Sequence, residues 1–173
     1  IEADCCGRTG NEEWIITVRN STVRENVGFQ GRGTKGVRYN QAMSFDFYRL
    51  DNGVRVILVP MGGVESVAVG VYVQTGSRYE NTENNGVSHF LEHMVFKGTK
   101  SYPTHEETSR LEGLGAIQNA WTDVDATAYW CKIPADRWSE ALDLIKDLAL
   151  YPTIPAEDLE IERGVILEEV NRR

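Results

Sequence analysis

The sequence predicts an α+β fold, a mostly antiparallel sheet with helices packed on one face. Two observations carry that expectation. Short β-branched or alternating runs, bounded by turn residues, occupy 45–50, 54–60, 66–75, 116–122 and 126–133. Segments of helical periodicity lie between and after them, so strands come first and helices then mix with further strands.

Residues 1–43 differ in texture from the rest and are set apart as an extension or linker, with 44–173 as the folded unit. Within the extension, 14–18 has the composition of a short strand, and 28–36 holds four glycines and reads as a loose connection. The first two strands of the folded unit flank Asn52-Gly53, a strong hairpin turn signal. Val alternates with small residues from Ser66 to Val73, giving the third strand. A helix is expected over 86–96 and another over 104–114, the latter stopped by Gly115. Two strands then surround an Asp-Val-Asp turn at 123–125. Trp138, Ala141, Leu142, Ile145 and Leu148 recur at helical spacing and mark an amphipathic helix over 135–150 whose stripe is core packing. Tyr151-Pro152 breaks the chain, and Pro155 followed by acids opens a final helix.

Composition narrows the function. A net charge of −8 argues against a nucleic-acid surface, and no apolar run is long enough to span a bilayer. The charge is uneven, because residues 1–41 carry six basic and five acidic side chains. Three cysteines make no disulfide framework, and Cys131 in an apolar strand reads as a buried thiol. An odd thiol count suits a reducing compartment, so an intracellular setting is expected: the cytoplasm, or the mitochondrial matrix in a eukaryote.

The chemistry is concentrated at 86–99. His89 and His93 lie four apart, on one face of the expected helix, where both imidazoles can reach a single ion. Glu92 sits about 100° around the helix from His93. This H-x-x-E-H order reads as a hydrolytic zinc site, with Zn2+ bound by the histidines and Glu92 as general base toward the attacking water. Such a site needs a third protein ligand and an open position. His105, the remaining histidine, has no partner in sequence. The acidic segment from Pro155 to Val170 is the better source: Glu162 and Glu169 share a helical face, and Glu168 is rotated away.

These segments closely resemble the pitrilysin/insulinase family of zinc peptidases, especially the branch of the processing peptidases and their bacterial relatives. The resemblance rests on Gly76-Ser77-Arg78-Tyr79-Glu80, on Asn85 to Met94, and on Phe96-Lys97-Gly98-Thr99. Gly115 to Thr122 is similar to the family's G-x-x-x-N-A-x-T strand, and Glu162 to Glu169 to its Glu-Arg segment. It implies the same α+β architecture, incomplete here, and it selects Glu169 as third ligand by its distance in sequence from His93. It also implies that Glu162 supports catalysis without touching the metal; a carboxylate there can orient a ligating imidazole by accepting its free N–H. A salt bridge with a nearby Arg is the plainer reading of Glu162. Asn119, Ala120 and Thr122 are implied to face an extended peptide substrate that pairs with the sheet edge. Asp125 departs from the family pattern before Thr127-Ala128-Tyr129 and leaves the form of that turn open.

The resulting expectation is a zinc metalloendopeptidase acting on peptides or unfolded, presequence-like segments. The competitor is a non-catalytic partner subunit of the same family, which retention of all five site residues disfavours. The resemblance further implies an N-terminal, metal-binding part of a larger enzyme, closed by a second similar domain or subunit. By itself, such a part is expected to bind zinc weakly and to hydrolyse peptides poorly.

Overall fold

The computed structural model describes residues 14–19 and 45–172. Six strands form one sheet in the order β2-β3-β1-β4-β6-β5. They are β1 (Trp14–Arg19), β2 (Asp46–Arg49), β3 (Arg55–Val59), β4 (Ser66–Val73), β5 (Ile117–Thr122) and β6 (Thr127–Pro134). Every pair is antiparallel except β1 with β3, so the chain has the mostly antiparallel α+β fold that its sequence predicts. Among the described residues, four α-helices accompany the sheet: α1 (Val87–Met94), α2 (His105–Thr108), α3 (Trp138–Leu150) and α4 (Ala156–Asn171).

The hairpin between β2 and β3 closes where Leu50 N–H donates to Val54 C=O at 2.8 Å. Gly53 takes φ +89°, a conformation that side chains disfavour, and Asn52 Oδ1 accepts from Val54 N–H at 3.1 Å. β1 lies between β3 and β4, pairing Ile15 with Arg55 on one side and Tyr72 on the other. The rest of the extension expected over 1–43, including 28–36, lies outside the described residues.

One face of the sheet makes the core. Val67, Val69, Val71 and Val73 of β4 and Tyr129, Cys131 and Ile133 of β6 are buried there. α3 covers them with Ala141, Leu144, Ile145 and Leu148, so its stripe packs as its spacing predicts. The opposite face carries Tyr72 and Trp121, whose rings meet edge to face at 6.2 Å.

Two expected helices are shorter than their periodicity suggests. α1 ends at Met94 and tightens into a 3₁₀ turn, Val95–Lys97. The segment expected as a helix over 104–114 holds only α2 and a separate 3₁₀ turn, Glu112–Leu114. Thr104 opens α2 with a capping box to Glu107. At its end the buried Thr108 hydroxyl donates to Phe96 C=O and His105 C=O, at 2.8 and 2.9 Å, which ties the turn to the end of α1 instead of prolonging the helix.

The loop after α1 is anchored to α3. Buried Asp147 accepts from Thr99 Oγ1 at 3.1 Å and from Ser101 N–H at 3.0 Å. The link from α3 to α4 joins the same loop, as Lys100 N–H donates to Tyr151 C=O at 2.9 Å and Thr153 N–H to Gly98 C=O at 3.0 Å. These contacts bring the start of α4 to the end of α1. α4 then packs against α1.

Candidate metal centre

α1 presents its basic residues to α4. The helix begins at Gly86, whose N–H donates to Glu80 Oε2 at 2.6 Å, while Ser88 N–H donates to Glu80 Oε1 at 2.8 Å. One carboxylate thus satisfies two of the unbonded N–H groups at this helix start, where the dipole also favours negative charge. Burial opposes ionisation of Glu80, but these hydrogen bonds hold its carboxyl below the usual range. Upstream, Gly76 is required by space: a Cβ there would lie 2.2 Å from Asp123 C=O. That approach brings the Asp-Val-Asp turn beside the start of α1, where Asp125 forms an exposed ion pair with Arg78.

Their spacing of four residues, about one helical turn, brings His89 and His93 together, with ring centroids 4.8 Å apart and planes at 86°. Glu169 reaches them from α4: its Oε2 is 3.6 Å from His89 Nε2 and 3.8 Å from His93 Nε2. The ligand atoms of His89, His93 and Glu169 all lie within 4.8 Å of one another. Zinc bonds of about 2.0–2.1 Å at tetrahedral angles separate ligand atoms by about 3.3 Å. The three side chains therefore fit a zinc ion with small rotations, and their donor set of two imidazoles and one carboxylate suits it.

Glu162 stands on the far side of His93. Its Oε2 is 3.1 Å from His93 Nδ1, and its Oε1 forms an ion pair with Lys97. A carboxylate only accepts, so in the neutral, metal-binding form of the ring the contact places the His93 proton on Nδ1 and leaves the Nε2 lone pair toward Glu169. Glu162 is buried, 9 % exposed at its side chain. Burial alone would raise its pKa, but hydrogen bonds and charge from Lys97 and His93 prevail and hold the carboxyl below its ordinary range. The neighbouring Arg163 pairs instead with exposed Glu160 at 3.0 Å, and among the described residues Glu162 has no ion pair with an arginine.

Glu92 is half-buried on α1 and has no hydrogen bond or ion pair among the described residues. Its charge is felt by Tyr129, buried on β6. Burial first, and the Glu92 carboxylate second, push the Tyr129 phenol up to about 12. His105 lies apart from the cluster, with Nδ1 3.1 Å from Phe96 C=O.

Asn119, Ala120 and Thr122 lie on β5, the last strand of the sheet, against which α1 packs. Asp123 N–H donates toward β6, to Ala126 C=O at 2.9 Å. By alternation, the backbone groups of Gln118, Ala120 and Thr122 face the open edge. The Ala120 N–H is held there by Asn119 Oδ1 at 2.8 Å.

Lys97, Glu80 and Tyr129 are the site residues that sequence reasoning missed. Lys97 was accessible, since it continues the His89–His93 spacing by one more turn. The other two needed tertiary structure.

Comparison with known proteins decides the family. Residues 55–173 match the insulinase family, peptidase family M16. The chain belongs to this family of zinc metallopeptidases. It is 40% identical over 123 residues to the uncharacterized zinc protease YmxG of Bacillus subtilis, covering 71% of this chain and 30% of that protein. It is 40% identical over 121 residues to the mitochondrial-processing peptidase subunit beta of Caenorhabditis elegans, covering 70% of this chain and 26% of that one. Among solved structures, a protease from Helicobacter pylori superposes with a TM-score of 0.69 at 29% identity, over 75% of this chain and 31% of that one. Pitrilysin gives 0.67 at 28% identity, over 82% of this chain and 15% of that one. The chain thus spans less than a third of the length of these relatives. No described helix is long and apolar enough to cross a membrane.

Proposed function

We propose that this chain carries the metal-binding half-site of a zinc-dependent endopeptidase acting on extended peptides or presequence-like segments. The observation that carries the reading is the convergence of His89, His93 and Glu169 from two helices within 4.8 Å, with Glu92, on the same helix as the histidines, unpaired among the described residues. His89, His93 and Glu169 would hold the ion, and bound zinc supplies Lewis acidity to a carbonyl oxygen and to water.

The other steps belong to the protein. Glu92 takes the proton of the attacking water and hands it to the leaving amine as the C–N bond breaks. Its lack of a partner leaves it available for both transfers. Glu162 fixes the ring of His93 through Nδ1. The open edge of β5 takes the substrate as an added antiparallel strand, whose backbone exchanges hydrogen bonds with Ala120 and Thr122. The Asn119 side chain then leaves the Ala120 N–H and turns to the incoming peptide. Recognition through backbone groups imposes little sequence preference, which suits unfolded segments.

A partner is part of the proposal. α4 leaves Ile161, Val165, Leu167 and Val170 exposed on either side of the site, and a second similar domain or subunit would cover them. The chain alone is expected to bind zinc weakly and to turn over slowly.

Glu92→Gln decides between enzyme and non-catalytic subunit. With the partner present, cleavage of a quenched peptide should fall by about 10²–10⁴-fold, the contribution of a general base, while zinc content stays unchanged. Loss of zinc together with activity would make Glu92 a ligand. Unchanged and negligible cleavage in both proteins would favour the partner-subunit reading.

A further inference from the structure

Three bases on α1 and its 3₁₀ extension alternate with two acids on α4. His89, His93 and Lys97 are spaced four apart, Glu169 and Glu162 seven apart, so the two rows mesh. Glu169 Oε2 lies 3.6 and 3.8 Å from the two histidines, Glu162 Oε2 lies 3.1 Å from His93, and Glu162 Oε1 meets Lys97. Lys97 is the last rung, and among the described contacts its ion pair is with Glu162 and not with a candidate ligand.

We propose that Lys97 is a positioning residue for the metal centre, acting through Glu162 to hold His93 Nε2 toward the ion. The inference rests on the zinc reading above and goes beyond it. Glu162 is the single buried residue of α4, so its carboxylate has exchanged water for two protein partners. One oxygen is committed to His93, which leaves the other to Lys97. A flexible carboxylate with only one partner could rotate about its terminal torsion and lose the alignment to Nδ1. Bound at both oxygens, it has one orientation and presents one tautomer of His93.

Lys97 is itself held in place. Its side chain is 25 % exposed, and the backbone two residues later is anchored by Thr99 Oγ1 donating to buried Asp147 of α3 at 3.1 Å. The core helix thus sets the height of Lys97, Lys97 sets Glu162, and Glu162 sets His93. The exposed pair of Arg163 with Glu160, on the same helix, offers a contrast: both side chains are more than half exposed and neither touches the cluster.

The test is zinc affinity, measured on the full chain by competition with a chromophoric chelator and independent of turnover. Outer partners of metal-ligating histidines typically contribute 10–100-fold in affinity. Lys97→Met should weaken zinc binding at least tenfold, Glu162→Gln should do the same, and the double variant should be no weaker than Glu162→Gln alone. Arg163→Gln should leave affinity unchanged. Thermal unfolding of the metal-free proteins identifies any variant that fails to fold, and Lys97→Gln, which keeps a polar head, then takes the place of Lys97→Met. A lowered melting temperature with zinc affinity within twofold of the unmodified chain would make the pair merely structural and overturn the proposal. So would a Lys97→Met loss that adds in full to Glu162→Gln. If the unmodified chain takes up no zinc at all, the metal reading itself fails, and this one with it.

Discussion

α3 and α4 follow one another in sequence, yet they are held by different forces. α3 buries Ala141, Leu142, Leu144, Ile145 and Leu148 against the sheet. α4 is three residues longer and buries one side chain, the carboxylate of Glu162. Its apolar residues form no stripe: Ile161 and Val170 are each more than 60 % exposed. Hydrophobic burial is non-directional and fixes α3 whatever the state of the site. α4 is placed by a row of charge-assisted contacts to α1, which depend on protonation and on any ion between the helices. One helix builds the fold, and the other completes the chemistry.

The largest test of that contrast is truncation of apolar side chains. Leu148→Ala in α3 should cost about 2–5 kcal/mol of unfolding free energy in a denaturant titration, as a filled core site becomes a cavity. Val170→Ala in α4 should change it by less than about 0.5 kcal/mol, since the side chain is already in solvent. Equal costs at the two positions would break the contrast.

Metal removal should act in the opposite sense. Zinc at a hundred times its dissociation constant stabilises a protein that binds it only when folded by about 2.7 kcal/mol. The gain is expected in α4, because Glu169 comes from that helix. Hydrogen exchange followed after chelation should show amides of α4 losing protection while those of α3 keep theirs. Uniform loss over both helices would mean that α4 is part of the core unit.

The same contrast explains what could be read from the sequence. α3 was legible because Ala141, Ile145 and Leu148 recur with the helical period, the signature of burial on one side. α4 has no such period and was legible through Pro155 and its acids. α2 is shorter than its sequence suggests, since nothing local reveals that the Thr108 hydroxyl turns back to Phe96. The pairing of β1 between β3 and β4 is a non-local choice that no window around Trp14 contains. In the site, His89 and His93 were legible from spacing alone, and Glu169 needed the family resemblance to separate it from Glu162. The cap that Glu80 places on α1 escaped notice, because it acts from six residues before Gly86 rather than from the usual capping position. The hold of Asn119 on the Ala120 N–H was equally invisible, depending on which edge of β5 stays open.

The smallest expected effect is a pH dependence of α4 that α3 does not share, in the metal-free protein. The carboxyl of Glu162 is held below its ordinary range in the folded chain, burial opposing and Lys97 and His93 prevailing. In the unfolded chain it titrates near the usual glutamate value of about 4.3. A carboxyl depressed on folding contributes stability above its unfolded pKa, and that contribution is lost as pH falls through the folded value. The docking of α4 should therefore weaken from about pH 4.3 downward, as protonated Glu162 gives up its charge to Lys97 and its acceptor role toward His93. The apolar contacts of α3 do not titrate. Hydrogen exchange corrected for intrinsic rates should show α4 opening over this range before α3 does, and Glu162→Gln should remove the difference by leaving α4 loosely docked at every pH. Coincident opening of both helices in the unmodified chain would show that charge contributes no separate hold on α4.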